Sequence, residues 1–375
     1  MYFKICFFCF FILGVLGFAN FGRAHIINIS TAFDILFILT VFIYKPKFAD
    51  KKSLAFFVCF LLYFIISLFF AVTVNANHIL DFLLAYKAIF YFIFLFYFEN
   101  KKIGGKNRFY QIYKWLIIFF FIKYVTSVLF QLNDRPLLFR ENNFELMLLG
   151  LLFYLRCILL GKIKGWELGA IIIIFIASGS KSAIPILVLI LASVYLKNIT
   201  WKRFLSFAFL GALLIGTFAT LLLAKYGING LGGIDRIAFL RVFMIEMLNS
   251  TYFEIFFGHS RITALLPLSC NALYHYPGLF SYKDDGTCYS LILHSFLLRS
   301  IFDHGIIGTF IIFYSCYLLL SRAGYSNNVC YTFIGVMLLN SLSVSGFNSV
   351  FFALSMLMYI GFSPTKNKSG PKNEF

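Results

Sequence analysis

Four stretches of this chain gather cations and titratable side chains, and all four suit the handling of an anion. The first is Arg135 and Arg140, followed by Glu141, Asn142 and Asn143. The second is Lys181, alone in the polar turn Ser178-Gly179-Ser180-Lys181-Ser182-Ala183. The third is Arg236 and Arg241, ahead of an amphipathic stretch at 242–257 whose Phe243, Met247, Phe253, Phe256 and Phe257 could lie along a membrane surface. The fourth is His294, with Arg299, Asp303 and His304 close behind, leading into Gly305-Ile306-Ile307-Gly308. Guanidinium groups bind phosphate oxygens bidentately, and a lysine supplies a point charge. Such groups also stabilise the charge that grows on a departing pyrophosphate. His294 is the natural candidate to take a proton from an attacking hydroxyl, and Glu141 is the competing base. Each stretch alone has a plainer reading: outer arginines bind lipid headgroups, and a lone histidine is more often structural.

The elements that must position these groups are apolar helices. Of 375 residues, 61% are hydrophobic, 21% aromatic and only 13% charged, with 52 phenylalanines. Soluble domains average nearer 45–50% apolar, and apolar runs of about twenty residues mark membrane spans. Such runs recur from end to end, which makes this an all-α polytopic membrane protein. About twelve spans are expected, near 5–21, 26–44, 53–74, 80–98, 112–131, 144–161, 165–178, 183–196, 204–224, 293–321, 329–345 and 348–363. The start of the tenth could form a separate interfacial helix. The first run follows Lys4 without a small-residue cleavage pattern, so it reads as a helix rather than a signal peptide.

Net charge is +17, yet nucleic acid is not implied, because the charge is topological. Alternate connections are basic: Lys45 to Lys52, Lys101 to Lys114, Lys162 and Lys164, Lys197 to Arg203, Arg322 and the tail. Together with Lys4 they hold 19 of the 32 lysines and arginines. The positive-inside rule then puts both termini in the cytoplasm. The division expected is helices one to nine over 1–224, a large outer loop at 225–292, helices ten to twelve over 293–363, and a polar tail at 364–375.

Lys181 sits awkwardly in that scheme. It is 17 residues from Lys164 and 16 from Lys197. At 1.5 Å per residue each leg rises roughly 24–25 Å, against a hydrocarbon core of about 30 Å. One reading is a recessed anion site, since charge and irregular backbone at that depth need protein or a water-filled cavity around them. The other is a simple helical hairpin whose lysine snorkels outward. Asp34, Asp81, Lys87 and Lys123 also fall within spans, where each costs roughly 2.5–3.5 kcal/mol, so interhelical pairing such as Asp34 or Asp81 with Lys87 is expected.

Of eight cysteines, Cys270 and Cys288 both fall in the large outer loop, an oxidising location in a bacterium. A bridge between them would close a loop of about 19 residues, worth about 3 kcal/mol in the chain-entropy model. No CxxC or His-rich pattern suggests a metal, and no cofactor is expected.

The order of these features resembles the Wzy-type O-antigen and capsular polysaccharide polymerases, within the O-antigen ligase/polymerase superfamily. Phe139-Arg140-Glu141-Asn142-Asn143 resembles their FxEPN-like segment, with Asn142 for the usual Pro. Ser178-Gly179-Ser180-Lys181-Ser182 resembles SGSRS with Lys for Arg, and Arg241 before Gly258-His259-Ser260 resembles an Arg preceding a GxG turn. His294-Ser295-Phe296-Leu297, then Gly305-Ile306-Ile307-Gly308, resembles HNxxL followed by GxxG, with Ser295 for Asn. The resemblance covers about residues 139–310. It implies a GT-C-like, metal-independent glycosyltransferase of a bacterial inner membrane. The enzyme would pass a growing glycan from undecaprenyl pyrophosphate to the sugar of another lipid-linked repeat unit on the periplasmic side. Its expected partners are that lipid-linked glycan, the bilayer, a chain-length regulator and a flippase. By this analogy Arg140, Lys181 and Arg241, with Arg135 and Arg236 beside them, hold pyrophosphate, and His294 orients or deprotonates the acceptor. The loop rings Tyr274, His275, Tyr276, Phe280, Tyr282 and Tyr289 would face sugars or pack the loop. Two alternatives stay open: a ligase that transfers finished polymer to lipid A–core, and a flippase or other transporter of lipid-linked sugars.

Overall fold

The computed structural model describes residues 29–43, 48, 50–132, 136–139, 141–195 and 235–363. The expected spans at 5–21 and 204–224, the start of the large loop, the tail, and both Arg135 and Arg140 lie outside the described residues.

Every regular element described is helical, and among the described residues the sole β-type contact is an isolated bridge between Ala264 and Tyr289. In chain order the helices are α1 (Ile29–Phe42), α2 (Lys51–Phe69, continued by a π-helical turn, Phe70–Val74), α3 (Ile79–Ala85), α4 (Lys87–Phe98), α5 (Lys106–Leu129), α6 (Asn142–Leu160) and α7 (Gly165–Ala177). They continue with α8 (Ala183–Tyr195), α9 (Asp235–Leu248), α10 (Tyr252–Phe257), α11 (Pro267–Ala272), α12 (Phe296–Arg322), α13 (Asn327–Ser341) and α14 (Val350–Gly361). Among the described residues four stretches are long and apolar enough to cross a membrane: Lys51–Val74, Lys106–Leu129, Asn142–Leu160 and Phe296–Arg322. A fifth arises if α3 and α4, bent by 60°, form one span, and α1, α7, α8 and α14 are shorter apolar helices.

Burial sorts these helices into centre and rim. Every residue of α14 is buried, and it packs against α1, α4 and α6. Helix α2, by contrast, exposes most of its apolar surface, as a lipid-facing helix does. The helix ends form two sets. At one end Arg322 binds Asp50, Glu99 and Ser53, and Ile103 N–H donates to the Gly361 carbonyl at 2.8 Å. Arg156 pairs with Glu167 there at 2.7 Å, both almost fully buried. Lys51, Lys52, Lys101, Lys102, Lys106, Arg108, Lys162 and Lys164 lie at or beside this end. At the other end stand the start of α6, the α7–α8 turn and the loop after α13. Between the two, Lys87 pairs with Asp34 at 2.6 Å, while at the second end Asp81 accepts from the Ser281 hydroxyl at 2.7 Å.

That second end carries a small cap built from α9, α10, α11 and two 3₁₀ turns, Pro277–Leu279 and Ser290–Leu293. The cap has its own core, in which Phe239, Val242 and Phe243 of α9 meet Leu265, Leu273, Ile292 and Leu293. A disulfide joins Cys270 to Cys288, with Cα atoms 5.7 Å apart. Phe302 of α12 also belongs to this core, so the first third of α12 is part of the cap. The helix is broken just beyond, where Gly305 takes φ 70° and ψ 178°. Gly258, with φ 88°, abuts this break, and the α10 backbone runs directly against it. Only glycine fits either position, because neither backbone leaves room for a Cβ.

Candidate functional site

The second end of the bundle holds the candidate site. Asn142 and Asn143 open α6, and their side chains reach the turn between α7 and α8. Asn142 Nδ2 donates to the Ser178 carbonyl at 2.8 Å. Asn143 Oδ1 accepts from the Ser180 hydroxyl at 2.7 Å and from Ser182 at 2.9 Å. The Phe139–Asn143 segment and the Lys181 turn are therefore one unit, with Lys181 exposed on its surface and Glu141 at the N-cap position of α6. The turn lies between α7, of 13 residues, and α8, described over 13 residues to Tyr195.

Glu145, one turn into α6, fixes the approach to this unit. It is fully buried, and its carboxylate accepts from the backbone N–H of Leu138 at 2.8 Å and of Phe139 at 2.7 Å. The Tyr124 hydroxyl donates to it at 3.3 Å, and its charge acts on the buried Lys123. Sequence reading passed over Glu145. Its available signal was a carboxylate in the first turn of an apolar helix, where orphan N–H groups and the helix dipole favour an acid.

His294 lies in the joint between the cap and α12, with a backbone of φ 54° and ψ −39°. Such a conformation costs a non-glycine residue about 1–3 kcal/mol and persists where surrounding contacts over-determine it. Those contacts are visible. The Ser345 hydroxyl donates to the His294 carbonyl at 2.8 Å and accepts from Arg299 Nη1 at 3.1 Å. Arg299, itself buried, donates from Nη2 to the Leu84 carbonyl at 3.3 Å. Ser295 caps α12 and donates to the Ser341 carbonyl at 2.8 Å. The loop after α13 also reaches the first unit, since Asn340 Nδ2 donates to the Asn143 carbonyl at 3.2 Å. Residues 340–346 thus tie the Asn143–Lys181 unit to the His294 joint.

The arginines of α9 divide. Phe239 lies against the His294 ring, with centroids 5.2 Å apart, and against Tyr276. Arg236, three residues earlier, sits about 60° round the helix from Phe239, whereas Arg241 sits about 200° round, on the outer face. Both are exposed. The structure therefore brings the helix of Arg241 to His294 but turns Arg241 itself away from that ring. Among the loop aromatics, Tyr289 is buried and donates to Asn77 Oδ1 at 2.8 Å, and Tyr276 packs on Phe239. Tyr274, His275 and Tyr282 stay exposed, Tyr282 stacked on His78.

Among the described residues of the cap, two carboxyls are held below their usual range by local hydrogen bonds. Glu254 is lowered by the Thr251 N–H and hydroxyl in the capping box of α10, and Asp285 by Thr287. Burial pushes the Tyr289 hydroxyl up. Among the described residues no group of His, Cys, Asp and Glu is placed to hold a metal ion. No protein-family model matches the sequence, and no curated protein matches it.

Proposed function

We propose that the chain is a multi-pass glycosyltransferase of the bacterial inner membrane that polymerises undecaprenyl-pyrophosphate-linked repeat units into O-antigen or capsular polysaccharide. In this reading twelve helices span the bilayer, the basic end of the bundle faces the cytoplasm with both termini, and the cap end faces the periplasm. The observation that carries it is the stitching of three distant stretches at the cap end. Asn143 holds the Lys181 turn, Asn340 holds Asn143, and the same 340–346 loop clamps His294.

The chemistry follows from those residue types. An acceptor sugar hydroxyl gives its proton to the His294 imidazole, and its oxygen attacks the anomeric carbon of the donor glycan. The carbon–oxygen bond to the diphosphate breaks, and the electron pair leaves with the diphosphate. Lys181 and Arg236, with Arg140 and Arg135, hold that growing charge, and Arg241, on the outer face of α9, stands outside this set. Glu141, beside Asn142, is the second candidate base. The exposed Tyr274 and Tyr282 offer ring faces to the sugars.

Reconstitution with a purified lipid-linked repeat unit, followed by gel separation of products, tests this. A product ladder from the wild type that disappears in His294→Ala and Lys181→Ala is the expected result. No ladder from folded wild-type protein refutes the polymerase reading. Transfer of preformed polymer to lipid A–core without a ladder assigns a ligase instead.

A further inference from the structure

Where α2 meets the break in α12, a guanidinium is held from two sides. Asn75 Nδ2 donates to the Arg261 carbonyl at 2.6 Å, and Asn77 Nδ2 donates to the neighbouring Ile262 carbonyl at 2.8 Å. The Arg261 guanidinium lies over the Tyr63 ring, 4.6 Å from its centroid. Tyr63 is fixed in turn, its hydroxyl 2.8 Å from His304 Nδ1, and Tyr86 backs His304 with ring centroids 5.0 Å apart. The ion pairs among the described residues join Lys87, Arg156 and Arg322 to their acids and do not include Arg261. A guanidinium stacked on a ring keeps its in-plane N–H groups for another acceptor, and phosphate oxygens match that fork.

The walls around this cation are apolar. Helix α2 exposes Ile66, Phe69 and Phe70, and α12 exposes Ile306 and Phe310, the last at 67%. Both helices are long and apolar enough to cross a membrane, so these are faces that a bilayer covers. Helix α10 continues the same surface. It butts against α12 at Gly305, none of its residues is buried, and Phe253 is 69% exposed. Aromatic side chains on a short helix beside a span belong at the bilayer interface.

We infer that Arg261, on its Tyr63–His304 platform, binds the phosphate of a bilayer phospholipid whose acyl chains lie along the exposed faces of α2 and α12. Charge and surface argue together here. Among the described residues this cation makes no ion pair, although the charge of the buried Asp303 acts on it, so its fork can take a further anion, and the apolar walls select one that carries chains. The site is built by residues other than Lys181 and His294, so the inference stands or falls apart from the glycosyl-transfer reading.

Native mass spectrometry of the full chain tests it, with three probes: dioleoyl-phosphatidylglycerol, dioleoylglycerol without phosphate, and inorganic phosphate. The expected result is one phosphatidylglycerol retained per chain at a detergent concentration that strips dioleoylglycerol, with no displacement by millimolar phosphate. Arg261→Gln lowers that retention about tenfold, Arg261→Lys lowers it less, and Lys283→Gln, in an exposed loop, leaves it unchanged. A monodisperse Arg261→Gln protein that keeps the lipid overturns the inference, as does equal retention of dioleoylglycerol. Displacement by inorganic phosphate overturns the lipid source, and so does displacement by an equimolar polyprenyl diphosphate.

Discussion

Replacing Gly305 by Ala probes the joint on which the cap depends. The residue sits at φ 70° and ψ 178°, a region essentially reserved for glycine, so an alanine there costs about 1–3 kcal/mol in backbone strain. Its Cβ would also collide with the Phe256 carbonyl and come within 2.5 Å of the Gly258 nitrogen. Those are backbone atoms and cannot swing aside, and overpacking of this kind adds about 1–3 kcal/mol. The summed cost is about 2–6 kcal/mol, concentrated where α10 meets α12. Gly169 supplies the contrast. It lies inside α7 with nothing within 4 Å of its Cβ position, so Gly169→Ala gains about 0.5–1 kcal/mol of helix stability. Thermal unfolding in detergent, followed by tryptophan fluorescence, should show a lowered midpoint for Gly305→Ala and an equal or raised one for Gly169→Ala. Limited proteolysis should open the cap in the first variant before the bundle. A Gly305→Ala protein with the wild-type midpoint and protease resistance refutes the reasoning.

Three further outcomes follow from the contacts. Arg156→Met strands the buried Glu167 carboxylate and should cost about 3–5 kcal/mol, while adding Glu167→Leu should recover most of it, both read from the unfolding midpoint. Ser345→Ala removes the hydroxyl that holds the His294 carbonyl; a lost bond of about 1.4 kcal/mol should slow ladder formation about tenfold, and Ser345→Thr should restore it. The Glu254 carboxyl has a depressed pKa when folded, so its contribution is present above its unfolded value of about 4.3 and is lost as pH falls through the folded one. Hydrogen exchange of α10 should therefore speed up in acid, and Thr251→Val, which removes the hydroxyl but keeps the N–H, should weaken that sensitivity without abolishing it.

Much of the bundle was legible in the sequence because bilayer helices announce themselves by length and apolarity. Runs at 53–74, 112–131 and 144–161 correspond to helices at Lys51–Val74, Lys106–Leu129 and Asn142–Leu160. Pairing of Lys87 with Asp34 was likewise within reach, since two charges in apolar surroundings must find each other. The site was less readable. Asn142 and Asn143 were visible as polar residues opening a span, but their grip on Ser178, Ser180 and Ser182 depends on tertiary approach across 36 to 39 residues. Ser345, Asn340 and Arg261 carry no local signal at all, because each acts through a backbone carbonyl or a ring contributed by a remote segment. Arg241 shows the converse limit: sequence proximity to a useful helix does not fix which way a side chain leaves it.

The wholly buried position of α14 dictates how this protein comes into being. Helices α1, α4 and α6 are synthesised before residues 350–361, so the slot that α14 fills stays empty until that helix is made. The centre of the bundle is complete only with that helix, whose Tyr359 hydroxyl donates to the Leu151 carbonyl at 2.9 Å. A stop codon shortly before Val350 would leave α1, α4 and α6 without the partner they share.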